Sequence, residues 1–295
     1  MNSAEKVMIE SSGGGYLAAT VTLPPGDPEA VLLVCPALGV RADYYTPFCE
    51  LIAETGVAVV VADMRGQGDS APRAGRTTRH GYHLLASRDW PSLVAWTSER
   101  FGPEARLFLL GHSIGGQISL HYSALAKNEV DGLVLVASGS VDYRGFSGLA
   151  RLKVLLGTQF IAGVATLLGY WPGHLLGFAG RQPARLMRDW ARTARTGSFR
   201  PEGSDIDYER LLANGGGLPT LAISLSGDSL APPAAVDRLC SKLPTSRVER
   251  WHYEPREGGK ADHVRWVRDG AEIASYVRSW MNGNGARTQT GDSDG

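Results

Sequence analysis

The chain has 295 residues, 43% hydrophobic and 20% charged, enough for one large domain with an insertion and a sizeable buried core. Lys plus Arg and Asp plus Glu are equal at 30 each, so the overall charge makes no case for nucleic acid. The three cysteines, Cys35, Cys49 and Cys240, are odd in number and widely spaced, which argues against a disulfide framework and a zinc site.

Residues 1–10 lack a charged region followed by an apolar run, so no signal peptide is read and the cytoplasm is the expected compartment. Residues 7–11 and 16–23 read as a hairpin around Gly13-Gly14-Gly15. Residues 30–35 (AVLLVC) and 57–62 (VAVVVA) are continuous apolar runs, as expected of strands buried on both faces. Residues 44–54 have helical spacing. Residues 82–101 read as a helix that Pro91 kinks or splits. Residues 107–110 form a short strand leading into Gly111-His112-Ser113, a helix follows to about residue 127, and residues 133–137 are again a buried strand.

The alternation then stops. Residues 140–217 read as helices and loops with no clear strand. It resumes with a strand at 219–226, a helix at 232–243, a strand at 247–253 and a closing helix at 264–281. The expected fold is therefore α/β: a mostly parallel, eight-stranded sheet with helices on both faces. The core is read as residues 1–139 and 218–282. A helical lid, residues 140–217, is inserted after the sixth strand, on the side where ligands bind in such sheets. Residues 283–295 are expected to be disordered.

Gly111-His112-Ser113-Ile114-Gly115 fits Gly-x-Ser-x-Gly between a strand and a helix. So sharp a turn strains the serine backbone and presents its hydroxyl at a helix N-terminus, where free N–H groups can stabilise an oxyanion. A serine hydroxyl needs a base. Asp228 and His263 follow successive predicted strands, in the order Ser, Asp, His. His112, His121, His174 and His252 are weaker candidates for the base, and Asp205, Asp207 and Asp262 for the acid. Ile114 N–H is one expected oxyanion donor. The other comes from the loop at residues 35–39, with Leu38 preferred over Ala37.

Asp63-Met64-Arg65-Gly66-Gln67-Gly68-Asp69-Ser70 resembles the Asp-x-Arg-Gly-x-Gly-x-Ser segment of serine aminopeptidase and monoacylglycerol-lipase-like α/β-hydrolases. The elbow, Asp228 and His263 match that family's triad. The resemblance covers roughly residues 30–280. Its nearest likeness is to a poorly characterised bacterial group of α/β-hydrolases, through Pro36-Ala37-Leu38-Gly39, Asp89-Trp90, and residues 133–139, 169–173 and 230–233. The wider family opens its oxyanion loop with His-Gly, where this chain has Pro36-Ala37. The family implies acyl transfer of ester or amide type but no particular substrate. The 63–70 loop is read as bracing the mouth of the site.

The reading is a serine hydrolase acting on a carboxylic ester or thioester of a partly hydrophobic small-molecule substrate, with Ser113, Asp228 and His263 as its triad. Ala37, His112, Trp171 and Leu230 are the expected substrate contacts. The chemistry needs no metal and no organic cofactor. An acyltransferase or carrier-linked thioesterase would use the same acyl-enzyme. A cofactor-free lyase or oxidative enzyme, or a binding module, could share the fold.

Two features of residues 140–217 bear on partners. Residues 154–171 carry no charge and nearly reach membrane-spanning length. A buried or pocket-lining helix pair is preferred, with shallow membrane or acyl-carrier contact as a weaker option. Arg181, Arg185, Arg188, Arg192 and Arg195 are spaced for one helical face. That face is read as solvated, with anion steering as the sharper alternative.

Overall fold

Buried strands with no polar residue set the frame. The computed structural model describes residues 3–126, 128–215, 217–256 and 261–284. Strands Ser3–Glu10 (β1), Tyr16–Leu23 (β2), Ala30–Cys35 (β3), Val57–Ala62 (β4), Arg106–His112 (β5) and Gly132–Val136 (β6) precede the insertion. Within it lie Tyr170–Pro172 (β7) and Arg181–Pro183 (β8); Thr220–Leu225 (β9) and Val248–Tyr253 (β10) follow it. Eight of these form one sheet in the order β1-β2-β4-β3-β5-β6-β9-β10. The β1/β2 and β2/β4 pairs are antiparallel and the rest parallel. This is the α/β-hydrolase architecture.

The helices are Thr46–Ala53 (α1), Tyr82–Leu84 (α2), Trp90–Phe101 (α3), Ile114–Leu125 (α4), Gly148–Leu168 (α5), Gly173–Leu176 (α6), Ala184–Thr196 (α7), Tyr208–Ala213 (α8), Pro233–Cys240 (α9) and Ala271–Gly283 (α10). Side chains alternate across the central strands. Val31, Leu33, Leu107, Leu109, Leu133 and Leu135 pack in one core with residues of α3, α4 and α9. Leu32, Val34, Phe108, Leu110, Val134 and Val136 pack in a second core with residues of α1 and α10.

The chain leaves β3 toward β4 and returns to β5 on the other side of β3. That reversal opens a crevice beyond the carboxyl ends of β3 and β5, where ligands bind in open α/β sheets. The β3 end leads to residues 36–39 and the β5 end to Ser113.

Several expectations need correction. Residues 140–217 contain the antiparallel pair β7 and β8; three residues apiece are too few for a strand period to show. Pro91 does not split its helix: a wider π turn at Leu85–Asp89 joins α2 to α3 just before it, taking up the missing N–H and the ring clash. The closing helix at 264–281 is instead a 3-10 turn at Arg265–Val267 followed by α10. A Cβ at the intervening Gly270 would meet the Trp266 carbonyl oxygen at 2.6 Å. The apolar stretch 154–171 is not a helix pair: residues 154–168 belong to the single helix α5, much of it exposed, and residues 170–171 open β7. Arg181 is not on the arginine helix, which begins after Pro183. Residue 127 lies outside the described residues. So does most of the expected disordered tail, 285–295, whereas Gly283 closes α10.

Candidate active site

Ser113 joins β5 to α4 with φ 55° and ψ −121°, a conformation that costs a non-glycine residue about 1–3 kcal/mol. Close packing of glycines enforces it. A Cβ on Gly111 would lie 2.3 Å from Gly116 Cα, and one on Gly115 would lie 2.1 Å from the Cys35 carbonyl oxygen. The first turn of α4 therefore sits directly against the end of β3. Ser138, just past β6, places its hydroxyl 2.9 Å from the Gly111 carbonyl and 3.0 Å from that of Ser113.

Ser113 Oγ lies 2.9 Å from His263 Nε2, and His263 Nδ1 lies 2.8 Å from Asp228 Oδ2. The Asp228 side chain is fully buried and that of His263 is 14% exposed. The other Asp228 oxygen accepts from Leu230 N–H at 2.8 Å and Ala231 N–H at 3.0 Å. Four lone-pair positions thus have three donors, as a buried carboxylate requires. Asp262 is taken up in capping Val264 and Arg265 N–H.

The loop after β3 has its own pattern of satisfied N–H groups. Ala37 N–H donates to Tyr45 Oη at 2.9 Å, Gly39 N–H to Gln67 Oε1 at 2.6 Å, and Val40 N–H to the Ala37 carbonyl. Among the described residues Leu38 N–H has no acceptor. Ile114 N–H, at the first position of α4, has no intrahelical partner. Leu38, Ile114, Ser113 and His263 line the same cavity. Two unpaired donors beside a hydroxyl aimed at an imidazole can support attack on a carbonyl and hold the resulting oxyanion.

His112 connects these parts. Its Nε2 lies 2.7 Å from the His263 carbonyl oxygen and its Nδ1 2.6 Å from Tyr45 Oη. A carbonyl only accepts, so Nε2 carries the proton, and Nδ1 accepts from the Tyr45 hydroxyl. Trp266 Nε1, 3.4 Å from the same Nε2, then makes a ring-edge contact rather than a hydrogen bond. Burial holds the His112 pKa well below its usual value, and the nearby His263 adds to the effect. A neutral ring with one donor and one acceptor fits the network. The chain of contacts runs from Ala37 N–H through Tyr45 and His112 to the backbone of His263. Neither Tyr45 nor Gln67 stands out in the sequence; both sit in apolar or loop patterns that carry no catalytic spacing.

The cavity holds about 460 Å³. Ala37 and Leu230 line it; Trp171 and His112 do not. Trp171 is buried in the β7–β8 pair and donates Nε1–H to the Phe178 carbonyl at 3.0 Å, while His112 is consumed beneath the elbow. The insertion supplies Val154, Thr158, Ile161 and Trp190 to the wall. The arginine face is largely committed: Arg185 and Arg188 pair with Glu202 at 3.6 and 2.8 Å, and Arg192 donates to the Arg200 carbonyl.

In the 63–70 loop, Asp63 accepts from Ala42 and Asp69 N–H, and Arg65 with Asp89 forms a buried ion pair beneath the first hairpin. The loop thus braces the residues that carry the oxyanion segment. Burial pushes the Cys35 and Cys49 thiols up to about 12, so both stay protonated. Among the described residues no group of three or more His, Cys, Asp or Glu is placed to hold a metal.

Comparison with known proteins agrees with this architecture. A family model for serine aminopeptidases of the S33 group matches residues 26–160. Monoglyceride lipase of Rattus norvegicus is 28% identical over 129 residues, 44% of this chain and 41% of the lipase. Homoserine O-succinyltransferase of Bordetella pertussis is 28% identical over 117 residues, 39% of this chain and 28% of the transferase. The chain thus matches less than half the length of these relatives. A carboxyl esterase from Bacillus coagulans, solved with glycerol, superposes with a TM-score of 0.63 at 18% identity, over 96% of this chain and 99% of that one.

Proposed function

We propose that this chain, which has the α/β-hydrolase fold and matches the serine aminopeptidase family model over residues 26–160, is a serine hydrolase cleaving a carboxylic ester or thioester of a partly hydrophobic substrate. The observation that carries the reading is the Ser113–His263–Asp228 relay, with contacts of 2.9 and 2.8 Å, set beside the unpaired N–H groups of Leu38 and Ile114.

His263 Nε2 takes the Ser113 proton as Oγ attacks the substrate carbonyl carbon. Asp228 fixes the imidazole tautomer and stabilises the imidazolium. The N–H groups of Ile114 and Leu38 hold the tetrahedral oxyanion. His263 then returns the proton to the departing alcohol or thiol, leaving acyl-Ser113. Water, deprotonated by the same imidazole, releases the acid. Residues 140–217 act as a lid whose apolar wall receives the acyl chain.

The test is a series of p-nitrophenyl esters of increasing chain length, with thioesters alongside. Ser113→Ala should lower turnover by about 10³-fold or more. A Ser113→Ala protein with wild-type turnover would falsify the assignment. The likeness to a succinyltransferase favours one second reading, transfer of the same acyl group to an alcohol. Supplying an alcohol acceptor and measuring new ester against free acid separates the two.

A further inference from the structure

Helix α5 has two unlike sides. Val154, Gly157, Thr158 and Ile161 face the cavity that Ser113 also lines, and the helix packs against α7. On the other side Leu149, Leu152, Leu156, Phe160 and Leu167 are 76, 52, 58, 66 and 87% exposed. Steps of three, four and seven residues put them on one stripe. Leu175 and Leu176 of α6, 75 and 59% exposed, add to the apolar surface of the insertion. So many large apolar side chains in one element exceed the scattered exposure normal for a protein surface.

Charge distinguishes the partner. No Asp or Glu occurs from residue 143 to 188, a stretch that holds Arg144, Arg151, Lys153, Arg181, Arg185 and Arg188. Arg144 pairs with Asp142, and Arg185 and Arg188 with Glu202. Arg151 lies instead over the Tyr143 ring and Arg181 over the Tyr170 ring. Arg151, which is exposed, and Lys153, which also lines the cavity, stand in the first turns of α5. Arg181 is held by Tyr170, just past its last residue, and the Arg76 backbone packs beside it, since a Cβ on the neighbouring Gly169 would meet Arg76 Cα at 3.0 Å. Cations therefore stand at both ends of the apolar stripe.

We propose that the outer face of α5 docks flat on a bilayer surface containing anionic lipid. Apolar side chains would enter the interface while the cations meet lipid headgroups. A second copy of the chain fits less well: a twofold contact through this stripe would bring cations of the two copies together with no acid between them. The helix is long and apolar enough to span a bilayer, but its inner side builds the cavity wall and packs on α7, so it lies on the surface. The inference extends the lid reading above. Binding is measured without turnover, so its failure and that of the hydrolase reading are separable.

The test is co-sedimentation of the full chain with vesicles of phosphatidylcholine, and with vesicles of equal parts phosphatidylcholine and phosphatidylglycerol. The wild type should partition to the anionic vesicles about tenfold more strongly, and raising salt from about 0.1 M to about 1 M should release it. Leu156→Ser/Phe160→Ser and Arg151→Glu/Arg181→Glu should each abolish binding and keep the wild-type melting temperature; the salt response of the unsubstituted chain gives a reading that does not depend on either variant folding. Three results overturn the proposal. One is a wild type that ignores both vesicles. Another is equal, salt-insensitive binding to both. The third is a wild-type dimer by light scattering that Leu156→Ser/Phe160→Ser converts to monomer, which would mark the stripe as a self-contact.

Discussion

Tyr45 joins the oxyanion loop to the elbow and, through His112, to the segment carrying His263. Desolvation keeps its phenol protonated, with the pKa raised far above the usual value, so the hydroxyl can donate to His112 while accepting from Ala37. Tyr45→Phe would strand two buried groups, the Ala37 N–H and His112 Nδ1. Each costs about 1–3 kcal/mol when left unpaired, so a loss of about 2–6 kcal/mol is expected in urea unfolding. The loosened loop should also lower kcat by about tenfold with KM nearly unchanged, because the oxyanion contact forms only in the transition state. A variant with reduced stability and full kcat would show that Tyr45 only packs. At this scale the sequence was legible where geometry demands a residue type. Gly111, Ser113 and Gly115 are forced by the turn, and Asp228 and His263 stand at strand ends. Tyr45 was not, because a buried tyrosine in an apolar helix start looks the same whether or not its hydroxyl is used. Trp171 misleads for the related reason that an aromatic ring in an insertion can face either the cavity or the insertion's own core.

Helix α7 shows how an element can read correctly in outline and wrongly in use. Its arginines are on a helix, apart from Arg181, but Glu202 lies seven residues beyond the pattern and takes two of them. What ties α7 to the core is its one acid. Asp189 accepts from Tyr82 N–H at 3.1 Å and from Glu202 N–H at 2.7 Å. Burial outweighs those donors and pushes its carboxyl from 3.8 up to about 6. The folded chain therefore keeps a proton between about pH 4 and pH 6 that the unfolded chain has released, and stability falls as pH rises through that window. The shift corresponds to about 3 kcal/mol, present at the acid end and gone above about pH 6. Asp189→Asn has no such titration. Subtracting its unfolding free energy from that of the wild type, in urea at pH 4 and pH 7, should give a difference that drops by up to about 3 kcal/mol on going to the higher pH. A pH-independent difference would mean that Asp189 is charged at both values. The strands β3, β4, β5 and β6 were legible because burial on both faces leaves apolar runs, and β9 because its short polar residues, Thr220 and Ser224, interrupt its run only lightly. The β7–β8 pair was not, because three residues cannot display a period.

At the scale of the whole molecule, the reversal of strand order at β3 and the insertion after β6 together place α5 over Ser113. That position makes the cavity a joint product of core and insertion, with Ala37, Leu38 and Ile114 on one side and Val154, Gly157, Thr158 and Ile161 on the other. Sequence order could say that the insertion leaves from the strand-end side; it could not say which face of α5 would turn inward, because both faces are apolar. Gly157 offers a direct test of that wall. A Cβ built there meets nothing within 4 Å, so a larger side chain can enter the cavity without moving the backbone. Replacing a helix-interior glycine should also stabilise the fold by about 0.5–1 kcal/mol. Gly157→Leu should therefore melt at or above the wild-type temperature while occupying part of the 460 Å³. If the cavity receives the acyl chain, kcat/KM for long-chain p-nitrophenyl esters should fall by about tenfold or more, a transition-state loss of ~1.4 kcal/mol. Acetyl and butyryl esters, which occupy little of the cavity, should be affected far less. An equal fall for short and long esters would place the acyl group elsewhere and leave the inner face of α5 as packing alone.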